Sequence, residues 1–176
     1  MSKQTFQFPA TRVVFETPTP AATVCARLDE ELHRGDDSQA ALKAALSAQN
    51  KEELEKNIQA LSHGNDFLFF GAIPHHTWFN AYMGTTDAAP LTITYTLGNP
   101  LIAQTMLRHS LVAGLHVPPR VLVLERADGN GTRIVYDLPS SIIAPGLAGG
   151  PHEELREAAE ALDAKLERLI AKVTRE

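Results

Sequence analysis

The chain has 176 residues, a single cysteine, and 16 Lys plus Arg against 21 Asp plus Glu, for a formal net charge of −5. That length suits one domain, 1–176, with a core large enough to need no metal or disulfide staple, and Cys25 alone cannot form an intrachain disulfide. The acidic balance and dispersed basic residues argue against a nucleic-acid partner. No apolar run is long enough for a secretory leader or a membrane span, so no membrane partner is expected. A thiol flanked by Val24, Ala26 and Leu28 fits a buried small residue in a reducing compartment, which places the protein in the cytoplasm.

Thr11–Glu16 reads as a first strand, ended by Thr17-Pro18. Thr19 is the expected N-cap of a helix with Pro20 at its first position, Val24, Leu28 and Leu32 along its inner stripe, and Gly35 at its end. Residues 36–63 have the character of a helical hairpin inserted into the domain. Ser38 can cap a segment carrying Ala41, Leu42, Ala45 and Leu46, and Asn50 with Glu53 forms a capping box for a helix with Leu54, Ile58 and Leu61 inward. Lys51–Glu55 and Glu53–Lys56 can pair on its solvent side.

Phe67-Leu68-Phe69-Phe70 is a continuous apolar run, as in a strand covered on both faces. Thr77 can cap a short helix holding Trp78, Phe79, Tyr82 and Met83 before Gly84. Leu91, Ile93, Tyr95 and Leu97 alternate with threonines, the clearest period-two signal in the chain. Asn99-Pro100 then opens a helix expected to run to about Ala113, with Ile102, Met106 and His109 on one face and a stop at Gly114. After the stiff Leu115–Pro119 connection, Arg120–Arg126 and Thr132–Asp137 form a hairpin around Asp128-Gly129-Asn130-Gly131. A loop-rich stretch from Pro139 to Gly150 leads to an amphipathic helix over 152–173, striped by Leu155, Ala159, Leu162, Leu166, Leu169, Ile170 and Val173. The order of elements implies an α+β fold, a two-layer sandwich with one mixed or antiparallel sheet and helices mainly on one face.

The sequence has no dinucleotide fingerprint, phosphate-binding loop, metalloprotease histidine pair or nucleophile elbow. His75, His76, His109 and His116 stand near element ends, where imidazole can act near neutral pH or bind a metal, but no Cys or carboxylate has ligand spacing nearby, so no metal site is assigned. Adjacent His75 and His76 point in opposite directions on an extended backbone. Asn99 caps its helix, and that helix start can also receive an anion or a carbonyl oxygen. Glu125, on the same line as Val121 and Val123, sits either at an exposed strand end or paired in a cleft.

An ordered series of motifs then stands out: Ile73-Pro74-His75, Gly98-Asn99-Pro100, Gly114–Pro118, Arg120–Glu125, the Asp128-Gly129 turn and Ile134–Asp137. The stretch from Phe69 to Asp137 resembles the family called domain of unknown function 302, as a fungal-type variant with a helical insertion at 36–63. The resemblance implies a compact two-layer α+β fold and, often, dimers, and carries no established activity, substrate or cofactor. Pro74 stands where the family tends to have an acid, and Leu101 where many members have Lys.

The leading expectation is a non-catalytic binding or structural module that holds a small apolar or carbonyl-containing ligand or a protein partner, with a ligand pocket of Phe70, His75, Trp78, Asn99, His109 and Glu125. It rests on the aromatic group Phe69, Phe70, Trp78, Phe79 and Tyr82. The alternative is a hydrolase- or isomerase-like enzyme with His75 as general base and Asn99 with the helix-start amides as polar anchor. Histidine-based metal binding is a third reading. A homodimer is expected through the leucine stripe of the terminal helix and a patch at Ile142, Ile143 and Leu147.

Overall fold

The computed structural model describes residues 1–35, 37, 39–86, 89–145 and 153–175. Five strands, β1 (Arg12–Thr17), β2 (Leu68–Pro74), β3 (Thr92–Gly98), β4 (Arg120–Glu125) and β5 (Thr132–Asp137), form one sheet. Its order is β1-β5-β4-β3-β2, and every neighbouring pair is antiparallel. The helices are α1 (Ala21–Glu31), α2 (Ala40–Ser47), α3 (Lys51–Ser62), α4 (His75–Met83), α5 (Pro100–Leu107), α6 (Pro139–Ile143) and α7 (Glu153–Val173), with a 3-10 turn at Leu111–Leu115. This is the expected two-layer α+β sandwich, with the sheet wholly antiparallel.

Alternation along the strands decides which layer each residue joins. Tyr95 and Leu97 of β3, Val121 and Val123 of β4, and Ile134 and Tyr136 of β5 are buried in one cluster with Val24 and Leu28 of α1 and the α7 stripe. Burying side chains such as Leu28, Leu166 and Ile170, all at 0 % exposure, contributes about 1.5–3 kcal/mol each. Cys25 belongs to this core, and burial pushes its thiol pKa up. The α7 stripe, Leu155, Leu162, Leu166 and Leu169 included, is consumed by this packing, and Ile143 is buried as well. The leucine stripe and Ile143 of the surface expected to carry a dimer are therefore inside the chain, Ile142 is half-buried, and Leu147 lies outside the described residues.

Several local expectations shift. Helix α1 starts at Ala21 with Pro20 in the N-cap position. Thr19 does not cap it, because its hydroxyl and that of Thr17 turn to the Thr174 carbonyl at the end of α7. The helix closes through His33 at φ 51° rather than at Gly35. The expected cap Ser38 is outside the described residues. In α3 the Asn50 side chain accepts the Glu53 N–H (2.9 Å), as a capping box requires, whereas the Glu53 carboxylate reaches Gln49 N–H (3.0 Å). Helix α4 begins at His75, two residues before Thr77. The expected Pro100–Ala113 helix stops at Leu107 because Ser110 is extended, and the chain re-forms as the 3-10 turn with Ala113 buried beneath it. A short helix, α6, occupies the start of the stretch read as loop.

Beside the main core, Ala41, Ile58 and Leu68 form a second buried cluster that seats the α2–α3 hairpin on the β2 end of the sheet. Phe69 faces the main core while Leu68 faces the hairpin, which explains the unbroken apolar run. On the sheet face away from α1 and α7, Val14, Val135, Leu122, Thr94 and Ile73 are register partners and form one row across all five strands.

Half-buried Asp163 of α7 accepts the Ser140 N–H (2.9 Å). Burial, aided by Glu160 and Glu167, holds its carboxyl pKa above the ordinary value, against the bond from Ser140. A raised folded pKa means the native state holds the proton more tightly than the unfolded chain, so ionisation of Asp163 opposes folding. Its penalty grows as pH rises from about 3.9 through the folded value. Asp163→Asn, which keeps an acceptor for Ser140, should raise Tm at pH 7 and leave it unchanged at pH 3, as read by thermal melts at both pH values.

Candidate functional site

Helix α5 follows β3 because Asn99 caps it and Pro100 fills its first position: Asn99 Oδ1 accepts the Leu101 N–H (2.9 Å) while its Nδ2 donates to the Asp66 carbonyl (3.1 Å). The helix sequence is apolar nearly all round. Met106 is buried in the main core at the floor of a cleft of about 470 Å³, which Ile102, Ala103 and Leu107 also line. Ala45, Leu46 and Leu54 of the α2–α3 hairpin form a second wall, with Phe70 and the Val117-Pro118-Pro119 strap around them. Gly98 permits the strap to close this tightly, since a Cβ there would stand 2.6 Å from Pro118 Cβ.

Among the described residues, the only polar side chains lining the cleft are Asn99 and Gln104. Both amides are already engaged: Asn99 as above, and Gln104 through Nε2–H to the Leu101 carbonyl (3.1 Å) and Oε1 from the Arg108 guanidinium (2.7 Å). The Ile102 and Ala103 amides are satisfied by the Asn99 carbonyl. The interior is therefore suited to apolar matter, with its two polar side chains already bonded within the chain.

The residues proposed from sequence fall into separate places. Phe70 and Asn99 line the apolar cleft. His75 opens α4: Trp78 Nε1–H donates to its Nδ1 (3.3 Å), which leaves the Nε2–H to donate to Thr94 Oγ1 (2.9 Å). Thr94 lies near the start of β3 and Asn99 just past its end, five residues on and roughly 17 Å away, and His75 is not among the residues that line the Asn99 cleft. Trp78 stacks edge-on against His75 and is 56 % exposed. Glu125 accepts the Leu91 N–H (3.3 Å) and borders an open polar cleft of about 590 Å³ with His76 and Asn80. His109 follows α5 and bonds through its N–H to the Met106 carbonyl.

His116 sits in a recess beside Arg120, its pKa lowered by burial and then by that charge. Among the described residues, no three His, Cys, Asp or Glu side chains converge as a metal site would need. The aromatic group also divides: Phe69 is core, Phe70 lines the cleft, and Trp78, Phe79 and Tyr82 are exposed on α4. A third cleft, about 260 Å³, is lined by charges that pair with one another, Asp66 with Lys165 and Arg168, and Lys172 with Glu31.

Sequence reading missed Ala45, Leu54, Ala103, Leu107 and Pro118 as lining residues. The signal was present in α5, whose apolar positions exceed what one buried face requires and imply a second apolar contact.

Fold and site together define a two-layer α+β protein with a preformed apolar cleft between one helix and a helical hairpin. The family model "Domain of unknown function DUF302" matches residues 42–173, and the chain belongs to this family. The crystal structure of an uncharacterized conserved DUF302 protein from Bacillus stearothermophilus is similar, with a TM-score of 0.61 and 15 % identity, over 93 % of this chain and 98 % of that one. That likeness concerns the fold. No curated protein matches the sequence. Among the described residues no helix is long and apolar enough to cross a membrane.

Proposed function

We propose that this protein is a binding module for a small, largely apolar molecule, held in the cleft between α5 and the α2–α3 hairpin. The observation that carries this reading is a cleft of about 470 Å³ with only two polar side chains among its described lining residues, both already bonded within the chain. Of the pocket expected from sequence, Phe70 and Asn99 take part, Asn99 as the cap that sets the direction of α5. We also read residues 36–63 as a helical insertion of a fungal-type variant within one cytoplasmic domain. Its role as a cleft wall, through Ala45, Leu46 and Leu54, supports a function for it. Native mass spectrometry of protein purified from cells, under gentle desolvation, should reveal a retained small-molecule mass. A bare chain mass from every preparation, together with no uptake of added alkyl compounds, would overturn the reading.

The homodimer belongs to the same proposal, with a different surface. The row Val14, Val135, Leu122, Thr94 and Ile73 is apolar apart from Thr94, and Val14 and Ile73 are more than half exposed. It continues through His75 to the exposed Trp78. A five-stranded face of roughly 20 by 20 Å on each copy gives about 800 Å² in total, and Trp78 with Phe79 brings an isologous pair near the 1,000 Å² of a specific interface. Sedimentation velocity at tens of micromolar should show a dimer, and Val14→Asp with Leu122→Asp should return it to monomer. A wild-type species at monomer mass would refute it.

A further inference from the structure

The proposed cleft reading leaves open what kind of molecule enters, and the electrostatics around the mouth narrow it. We infer that the ligand is a straight-chain anionic amphiphile, with its alkyl chain in the cleft and its acid group at the mouth beside Arg108. This inference rests on the cleft being a ligand site.

The position of the polar group follows from hydrogen-bond accounting. Inside the cleft the Asn99 and Gln104 amides each already hold internal partners, and the first free amides of α5 are satisfied. A polar group carried inside would lose its water among almost wholly apolar walls, so it is held at the entrance. The body of the ligand meets mainly aliphatic side chains. At about 30 Å³ for a group the size of a water or methylene, the volume takes on the order of ten to fifteen such groups, which a single alkyl chain fills.

The sign of the head group follows from the charges. The chain as a whole is acidic, yet from Ala88 to Leu124 it contains no Asp or Glu while carrying Arg108 and Arg120. Arg108 is exposed, follows the last turn of α5, and reaches the rim through Gln104, a lining residue, whose Oε1 (2.7 Å) and main-chain oxygen (3.4 Å) are its guanidinium's only acceptors among the described residues. Among the described residues it has no carboxylate partner. On the facing wall the acids that flank Leu54 in sequence have partners of their own, Glu53 the Gln49 N–H and Glu55 the Lys51 ammonium. An anion at the mouth therefore meets a guanidinium with spare N–H donors, and a cation meets repulsion. Leu111, Val112 and Leu115, each at least 73 % exposed on the turn that contributes Gly114 to the cleft, give a long chain an apolar lip on its way in.

The test uses the full chain in calorimetric titrations with decanoate, decyl phosphate, 1-decanol and decylamine at low and high salt. Decanoate or decyl phosphate should bind at least tenfold more tightly than decylamine, and the ratio of the two acids assigns the head group. Arg108→Gln should weaken the acids about fivefold and leave decanol unchanged, with Arg108→Lys retaining most of the affinity and high salt removing the difference. Decanol or decylamine binding as well as the acids, or indifference to Arg108→Gln, would overturn the amphiphile assignment and leave the apolar-cleft reading standing. Failure of all four compounds to bind would overturn both.

Discussion

Gly131→Ala is expected to cost the fold about 4 kcal/mol. Gly131 sits in the β4–β5 turn at φ +113°, a conformation that side chains other than glycine rarely adopt. A Cβ there would stand 2.1 Å from the Thr17 carbonyl oxygen and 2.8 Å from Pro18 Cα, both main-chain atoms that cannot rotate away. Relief requires the β1–α1 connection to lift off the hairpin. That would strain the neighbouring buried bond from Thr132 Oγ1–H to the Thr19 carbonyl (2.6 Å) and the Arg126 N–H bond to the Gly131 carbonyl (3.0 Å). Gly129→Ala is the control. It shares a positive φ (+69°) but meets nothing within 4 Å, so only the conformational cost of about 1 kcal/mol applies. Urea titration of both variants reads the difference directly, and equal losses would show that the connection does not bear on the turn.

Ala103→Trp is expected to reduce binding of an apolar ligand about a hundredfold while leaving Tm within a few degrees of wild type. Ala103 borders the cleft from the middle of α5 and is only half-buried, so an indole placed there enters space instead of packed core. Displacing about four methylenes of ligand at about 0.8 kcal/mol each removes about 3 kcal/mol, which is the hundredfold. Titration with decanol, which lacks a charge, isolates the effect of the filled volume. Unchanged affinity would place the ligand elsewhere.

Elements with local signals are legible in the sequence. The threonine-interleaved strand around Tyr95, the caps at Asn50 and Asn99, the Asp-Gly and Asn-Gly turn and the long α7 stripe each follow from side-chain period or from a single hydrogen bond to a nearby amide. The expected α5 runs too long because continued apolar periodicity cannot show that Ser110 leaves the helix. The candidate site is legible only in part. Phe70 and Asn99 line the cleft, but His75, Trp78 and Glu125 do not join them, since adjacency along the chain near strand ends says nothing about which end of the sheet each occupies.

The sequence by itself determined the class of fold, the faces of its strands and the amphipathic character of its helices, because those depend on periods of two and 3.6 residues within one segment. Tertiary structure alone decided that the α7 leucines pack inward and that a mainly apolar row, exposed at its Val14 and Ile73 ends, crosses the opposite sheet face. It also decided that α5, the α2–α3 hairpin and the Pro118 strap border a cleft. Those outcomes depend on strand order and on contacts between residues far apart in sequence, and an apolar stripe looks the same before folding whether it will meet its own sheet, a ligand or a second copy.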